Sequence, residues 1–261
     1  MTEQFTLKNA QRLPGSKVVL SPLALLILAA CGGGGGGGVT STPTSTGQST
    51  FLRTGSVVKG PLENALAFLD YEGGTMGVRD ADEPMVRTDE NGNYVLTGTV
   101  GKTVASVIAM TDESTVDTSS GTVLSGVTLK APEPTSGETA VLSIASTMMV
   151  DQNLSETQVQ EVLGIDGDVD LLTFNPFAET TDAATLAIAA AVESKSQQIG
   201  AVITSMAAAA ESSGMDSSLA FASALTAVAT VVKEKAETAG GAVAIDLATS
   251  DADIKAISTK V

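Results

Sequence analysis

The sequence predicts an α+β chain in two segregated parts, a small antiparallel β-sandwich followed by an α-helical bundle. Three observations predict it. From Gly55 to about Pro132, short β-branched or apolar runs alternate with turn chemistry, and no helical period lies between them. After Pro132-Glu-Pro134 the period changes, and apolar residues recur at helical spacing. Aromatics are scarce, with six Phe, two Tyr and no Trp among 261 residues. Alanine and other small residues fill the gap, which suits close helix contact or a thin sandwich.

In chain order, residues 1–30 read as a secretory signal peptide. Lys8, Arg12 and Lys17 precede the apolar run Leu23–Ala30, which closes on small residues. The run is about half the roughly 20 residues that a membrane span needs. Residues 31–54 read as a flexible linker, rich in Gly, Ser, Thr and Pro, with seven glycines from Gly32 to Gly38 and one late charge, Arg53. Such a chain has a typical end-to-end distance of roughly 25–30 Å.

A β-sandwich domain is expected over 55–132. Its strands are Ser56–Lys59, Ala65–Leu69, Tyr94–Thr97, Val104–Met110 and Thr122–Leu129, with Asn91-Gly92 as a tight turn. A helical domain of three or four helices is expected over 140–261. Ser155 with Glu156, Gln158 and Glu161 opens a helix that stops at Gly164. A loop through Asp166, Asp168 and Asp170 leads to Pro176. Val192, Ile199, Ile203 and Met206 share one helical face, and Phe221, Leu225, Val228 and Val232 share the next. Both stripes read as core, the first with the alternative of a docking face for a partner or another copy. Gly240-Gly241 ends that helix, and Ile254, Ile257 and Val261 mark a last one.

Composition narrows the function classes. A formal charge of −16 opposes binding to nucleic acid phosphates or anionic headgroups, and favours cations, basic partners or solubility. The chain has no histidine, which excludes a Ser-His-Asp triad, a Cys-His dyad and His-ligated zinc. No phosphate-binding loop is present, and the heptaglycine has no strand before it or helix after it. An enzyme is not expected. A carboxylate-based glycan hydrolase would need two acids roughly 5–10 Å apart across a cleft, and the sequence singles out no such pair.

Cys31 is the only cysteine, so internal disulfides are excluded. It ends Leu28-Ala29-Ala30-Cys31, which resembles the lipobox of bacterial lipoproteins. The resemblance implies cleavage before Cys31, lipidation of that residue (three acyl chains, palmitate among them) and anchoring in a membrane. Two or more chains give stable anchoring where one does not. Gly32 in place of Asp implies the outer membrane or cell surface of a bacterial envelope.

The densest charge lies in residues 62–90. Glu63, Asp70, Glu72, Asp80, Asp82, Glu83, Asp89 and Glu90 face only Arg79 and Arg87, a local charge of about −6. Calcium takes six to eight hard oxygen ligands in flexible geometry, so Asp70, Glu72, Asp80, Asp82 and Glu83 are candidate ligands. Phe68-Leu-Asp70, Gly77-Val-Arg-Asp80-Ala-Asp-Glu83-Pro84 and Thr88-Asp89-Glu-Asn-Gly-Asn-Tyr94 resemble the B-type repeat of bacterial surface adhesins. That resemblance covers 55–131. It implies a small prealbumin-like sandwich, related in shape to the regulatory domain of carboxypeptidases, with calcium held by Asp70, Asp80 and Glu83. The family's Asn positions are replaced here by Glu72, Gly74 and Thr75, and the loop is about two residues longer.

The acidic loop keeps two readings, a calcium site or a solvated hairpin tip. Asp166-Gly-Asp168-Val-Asp170 has the spacing of a calcium loop but lacks its bidentate Glu, since position 177 is Phe. Leu129-Lys-Ala-Pro132 with Asp170-Leu-Leu-Thr-Phe-Asn-Pro176 resembles a module that follows such domains in proteins of aquatic bacteria, and implies no activity. The expected function is therefore a membrane-anchored envelope lipoprotein with a structural or adhesive role, calcium stiffening the sandwich. The alternatives are a ligand- or partner-binding lipoprotein acting through the helical domain, or a self-assembling surface subunit that donates an early strand near Phe51-Leu52.

Overall fold

Strand β1 (Thr50–Val57) lies in the middle of a three-stranded sheet, between β5 (Asn93–Thr99) and β10 (Ala140–Leu142). A computed structural model describes residues 49–134, 139–165, 169–239 and 251–261. The chain divides into Met1–Thr46 and Gly47–Val261, and everything described belongs to the second unit. The expected signal peptide, Cys31 and the heptaglycine lie outside the described residues.

β1 starts inside the segment expected to be linker, so residues 50–54 are strand. The cause is a period of two: Phe51 and Arg53 are half-buried while Thr50, Leu52 and Thr54 are exposed. Arg53 places its guanidinium 4.5 Å from the Phe51 ring centre and pairs with Glu133 at 2.6 Å. β1 pairs antiparallel with β5 from Thr50↔Thr99 to Ser56↔Asn93. β10 joins it in parallel, from Gly55↔Ala140 to Val57↔Leu142. Thus Phe51 and Leu52 belong to the molecule's own sheet rather than lying outside it. The range expected to be purely helical also contributes a strand.

Three residues stand abreast in this sheet, Ala140, Gly55 and Tyr94. The Tyr94 ring crosses over Gly55, and its hydroxyl donates to the Ala140 carbonyl at 3.1 Å. A Cβ on Gly55 would stand 2.2 Å from that hydroxyl and 2.0 Å from the Ala140 oxygen, so only glycine fits. Burial pushes the Tyr94 phenol pKa well above its usual range.

A second sheet runs β4 (Met85–Arg87), β3 (Leu66–Tyr71), β6 (Val104–Met110) and β9 (Thr128–Pro132), all antiparallel. A small third sheet joins β2 (Leu62–Glu63), β7 (Val116–Asp117) and β8 (Thr122–Val123). The single strand expected over Thr122–Leu129 is broken into β8 and β9. Gly126, at φ +77°, turns the chain between them, and Val127 then bonds Thr111 instead of a ladder partner. Asn91-Gly92 is the expected tight turn: Gly92 has φ +75°, and Asp89 accepts from the Asn91 and Asn93 amides.

Five helices occur among the described residues. α1 (Ile144–Gln152) and α2 (Glu156–Leu163) each open on a capping box, Ser143 with Ser146 and Ser155 with Gln158. Gly164 closes α2 in the left-handed conformation, where the sequence places its stop. α3 (Ala183–Ser212) is capped by Asp182 and has 30 residues, about 45 Å of helix. α4 (Ser217–Ala239) contacts α1, α2, α3 and α5 (Asp251–Ser258). Gly240-Gly241, the expected end of α4, lies outside the described residues.

One core serves strands and helices together. Leu62, Leu69, Leu96 and Leu129 belong to the same buried cluster as Met148, Ile203, Leu225, Val228 and Ile257. Val192, Ile199 and Ile203 are buried in it and Met206 packs against it; Phe221, Leu225, Val228 and Val232 are buried too. Among the described residues no helix is long and apolar enough to cross a membrane.

Candidate functional site

The acidic loop leaves the second sheet at the end of β3 and returns in β4, so two hydrogen-bonded strands fix its base. Asp70 sits opposite Ser106 of β6, beside a register shift between Asp70 and Tyr71. That position buries its carboxylate almost completely, at 1% exposure. Oδ2 accepts from the Gly77 amide at 2.8 Å and from the Ser106 hydroxyl at 3.4 Å. Oδ1 is buried with no hydrogen-bond partner. A bare carboxylate oxygen in a buried site is costly unless a cation or water meets it.

Glu83 is equally buried, at 2% exposure, and for a different reason. Oε1 accepts from the Tyr71 amide at 2.7 Å and Oε2 from the Asp80 amide at 2.8 Å. Its carboxylate therefore ties the two ends of the loop together. Asp80, half-buried, accepts from the Thr75 amide through Oδ2 at 2.7 Å. Arg79 reaches the Glu83 carbonyl at 3.1 Å, and its Nε is buried without a partner.

The other two candidates are directed elsewhere. Asp82 is exposed and pairs with Lys102 at 2.9 Å, and that hydrogen bond holds its pKa below the usual carboxylate range. The same contact raises the Lys102 pKa. Glu72 is exposed. The structure thus gathers Asp70, Asp80 and Glu83 into one hydrogen-bonded loop and leaves Glu72 and Asp82 out. Among the described residues no three carboxylates converge closely enough to hold a metal ion. The side-chain donors here are all hard carboxylate oxygens, and among them Asp70 Oδ1 is the buried one left without a partner.

Lys102 was missing from the sequence reading. It comes from the turn before β6, and no local pattern joins it to an acid twenty residues earlier. In the second acidic patch, Asp170 accepts from the Leu172 and Thr173 amides, the role of a turn cap, while Asp166 and Asp168 lie outside the described residues. No protein-family model matches the chain, and neither a curated protein nor a solved structure does.

Proposed function

We propose that the chain is a lipid-anchored bacterial envelope lipoprotein, held at the outer membrane or cell surface through Cys31. Its strands form a prealbumin-like sandwich of the B-type-repeat kind, and its role is structural or adhesive. The observation that carries this reading is the placement of β1. The chain on the Cys31 side enters the fold through a strand paired on both sides, with β5 and with β10. A pull on that strand loads many backbone hydrogen bonds at once rather than one at a time, which suits a domain displayed on a tether. A Cys31→Ala variant is expected to lose lipid labelling and leave the membrane fraction; retention in that fraction would end the anchor reading.

Calcium belongs to the same proposal. Asp70 would supply its open oxygen, with Asp80 and Glu83 beside it. A site saturated about 100-fold over its dissociation constant adds roughly 2.7 kcal/mol, or roughly 5–10 °C in melting temperature for a chain of this size. The full chain is expected to melt higher in millimolar calcium than in chelator, and Asp70→Asn and Asp80→Ala are each expected to abolish the difference. Identical melts with and without calcium would make the loop a solvated tip closed by Glu83.

A further inference from the structure

Away from the acidic loop, a cleft of about 420 Å³ lies between the third sheet and the middle of α3. That volume falls in the range of small-ligand sites, roughly 300–1,000 Å³. Lys59, from the turn after β1, is the one cation lining it among the described residues. Its stem lies along α3, with Cε 3.5 Å from where a Cβ on Gly200 would stand. Its Nζ is 3.7 Å from Asp117 Oδ2, an ion-pair distance but too long for a hydrogen bond. Asp117 Oδ1 is occupied by the Ser119 amide and hydroxyl and by the Ser120 amide. The ammonium therefore keeps its donors for the cleft.

Three of the hydroxyls around it already donate within the protein. Thr204 donates to the Gly200 carbonyl at 2.7 Å, Ser205 to the Ala201 carbonyl at 2.8 Å, and Ser119 to Asp117 at 2.6 Å. The Gln197 amide nitrogen donates to Glu193 at 2.9 Å. With those protons committed, Thr204, Ser205 and Ser119 offer the cleft lone pairs, while Gln197 keeps a second N–H and Ser120 accepts from the Thr122 amide. The lining thus carries one cation, Lys59, and one carboxylate, Asp117, among mostly accepting neutral groups, and Asp117 disfavours a second negative charge.

The geometry points to a binding site for a small monoanion rich in hydroxyl groups, the chemistry of a uronic or aldonic acid. Its carboxylate meets Lys59, and its hydroxyls donate to Gln197, Thr204, Ser205 and Ser119. A dianion such as phosphate brings excess charge beside Asp117 in a chain of net charge −16 and lacks the hydroxyl donors. A neutral sugar leaves the ammonium unmatched, and no aromatic ring lines the cleft for it to stack on.

The test is calorimetric titration of the full chain with D-glucuronate, D-glucose and inorganic phosphate. Glucuronate is expected to bind with a dissociation constant on the order of 1 mM, and the other two at least about tenfold more weakly. Lys59→Met keeps the stem and removes the charge. Ala201→Leu fills the cleft from an exposed helix position and leaves the core alone. Each is expected to weaken glucuronate about tenfold or more while the melting temperature stays within about 2 °C of the parent. Binding of glucose or phosphate as tight as glucuronate would overturn the proposal. So would glucuronate binding that both variants leave unchanged, or no glucuronate binding at all. None of these outcomes depends on calcium at the acidic loop.

Discussion

The strand half and the helical half share one core but hold together by different means. Among the strands, buried positions are often polar or glycine, and several of the polar ones have directed partners. Thr88 accepts from the Ala65 amide at 2.9 Å and donates to the Leu62 carbonyl, Glu83 bridges two amides, and Tyr94 reaches across Gly55 to Ala140. In α4 the buried residues are Ala220, Phe221, Ala224, Leu225, Ala227, Val228, Ala229, Val231 and Val232, all apolar and most of them small, with no polar group to direct them. One half is specified by hydrogen-bond geometry, the other by size. Chemistry that needs fixed donors and acceptors thus falls among the strands or at their border with α3, where both clefts of interest lie.

The largest effect is expected where the strand half is tightest. Gly55→Val drives a branched side chain into the Tyr94 hydroxyl and the Ala140 carbonyl, and separates β10 from β1. A loss of about 3 kcal/mol or more is expected from overpacking plus the broken hydrogen bond, read as a lowered denaturation midpoint. A loss under about 1 kcal/mol would mean that the sheet adjusts as freely as a surface. The next largest tests size in the helical half. Ala224, fully buried, is expected to cost about 2 kcal/mol as Ala224→Leu. Ala222, exposed on the same helix, is expected to tolerate leucine within about 0.5 kcal/mol. Equal costs at the two positions would erase the contrast.

Tyr94→Phe sharpens the contrast through pH. At neutral pH it removes one buried hydrogen bond, a loss of about 1 kcal/mol. The folded phenol's pKa is raised by burial, while the unfolded one ionises near 10. The contribution from keeping it neutral is therefore complete below about pH 10 and lost as pH rises beyond it. Alkaline melts of the parent are expected to fall more steeply above about pH 10 than those of the variant. Parallel curves would show that Tyr94 ionises as readily in the fold as outside it.

How much of this was legible in the chain follows the same division. α2 announced itself because capping is local: Ser155, Gln158 and Gly164 lie within ten residues and mark both its ends, whereas α1, capped by Ser143 and Ser146, is not singled out within the expected helical range. The strands announced their positions but not their partners. Nothing near Ala140 says that it pairs in parallel with Gly55, because that contact closes across 85 residues. Thr50–Thr54 reads as linker because threonine serves both loops and strands, and only the Phe51/Arg53 alternation separates the two. At the acidic loop the charge density is plain in the sequence, but it does not separate Asp70, Asp80 and Glu83, which share the hydrogen-bonded loop, from Glu72 and Asp82, which stay exposed. The burial of Asp70 and Glu83 is hidden, since it depends on Ser106 across the sheet and on main-chain amides. Glu83, a candidate ligand in the sequence, closes the loop through two of those amides. The Lys59 cleft left no trace, because Lys59, Asp117 and the α3 residues Gln197 and Thr204 reach it from three distant segments.

The smallest effect expected is at the rim of the strand half, where Arg87 pairs with Asp112 at 2.6 Å in full view of solvent, both side chains more than 40% exposed. Hydrogen bonds from Arg87 and from Ser114 hold the Asp112 pKa well below the usual carboxylate range. Solvent screening limits what such a pair contributes, so Asp112→Asn is expected to cost a few tenths of a kcal/mol at neutral pH. Because the folded pKa is depressed, the contribution is present above the unfolded value near 4 and is lost as pH falls through the folded one. Parent and variant melts are expected to differ slightly at pH 7, to draw progressively together as pH falls below about 4, and to converge at neutral pH in about 1 M salt. A difference that survives both acid and salt would place Asp112 with the buried, directed contacts of Tyr94 and Glu83, and would extend the hydrogen-bonded character of the strand half to its surface.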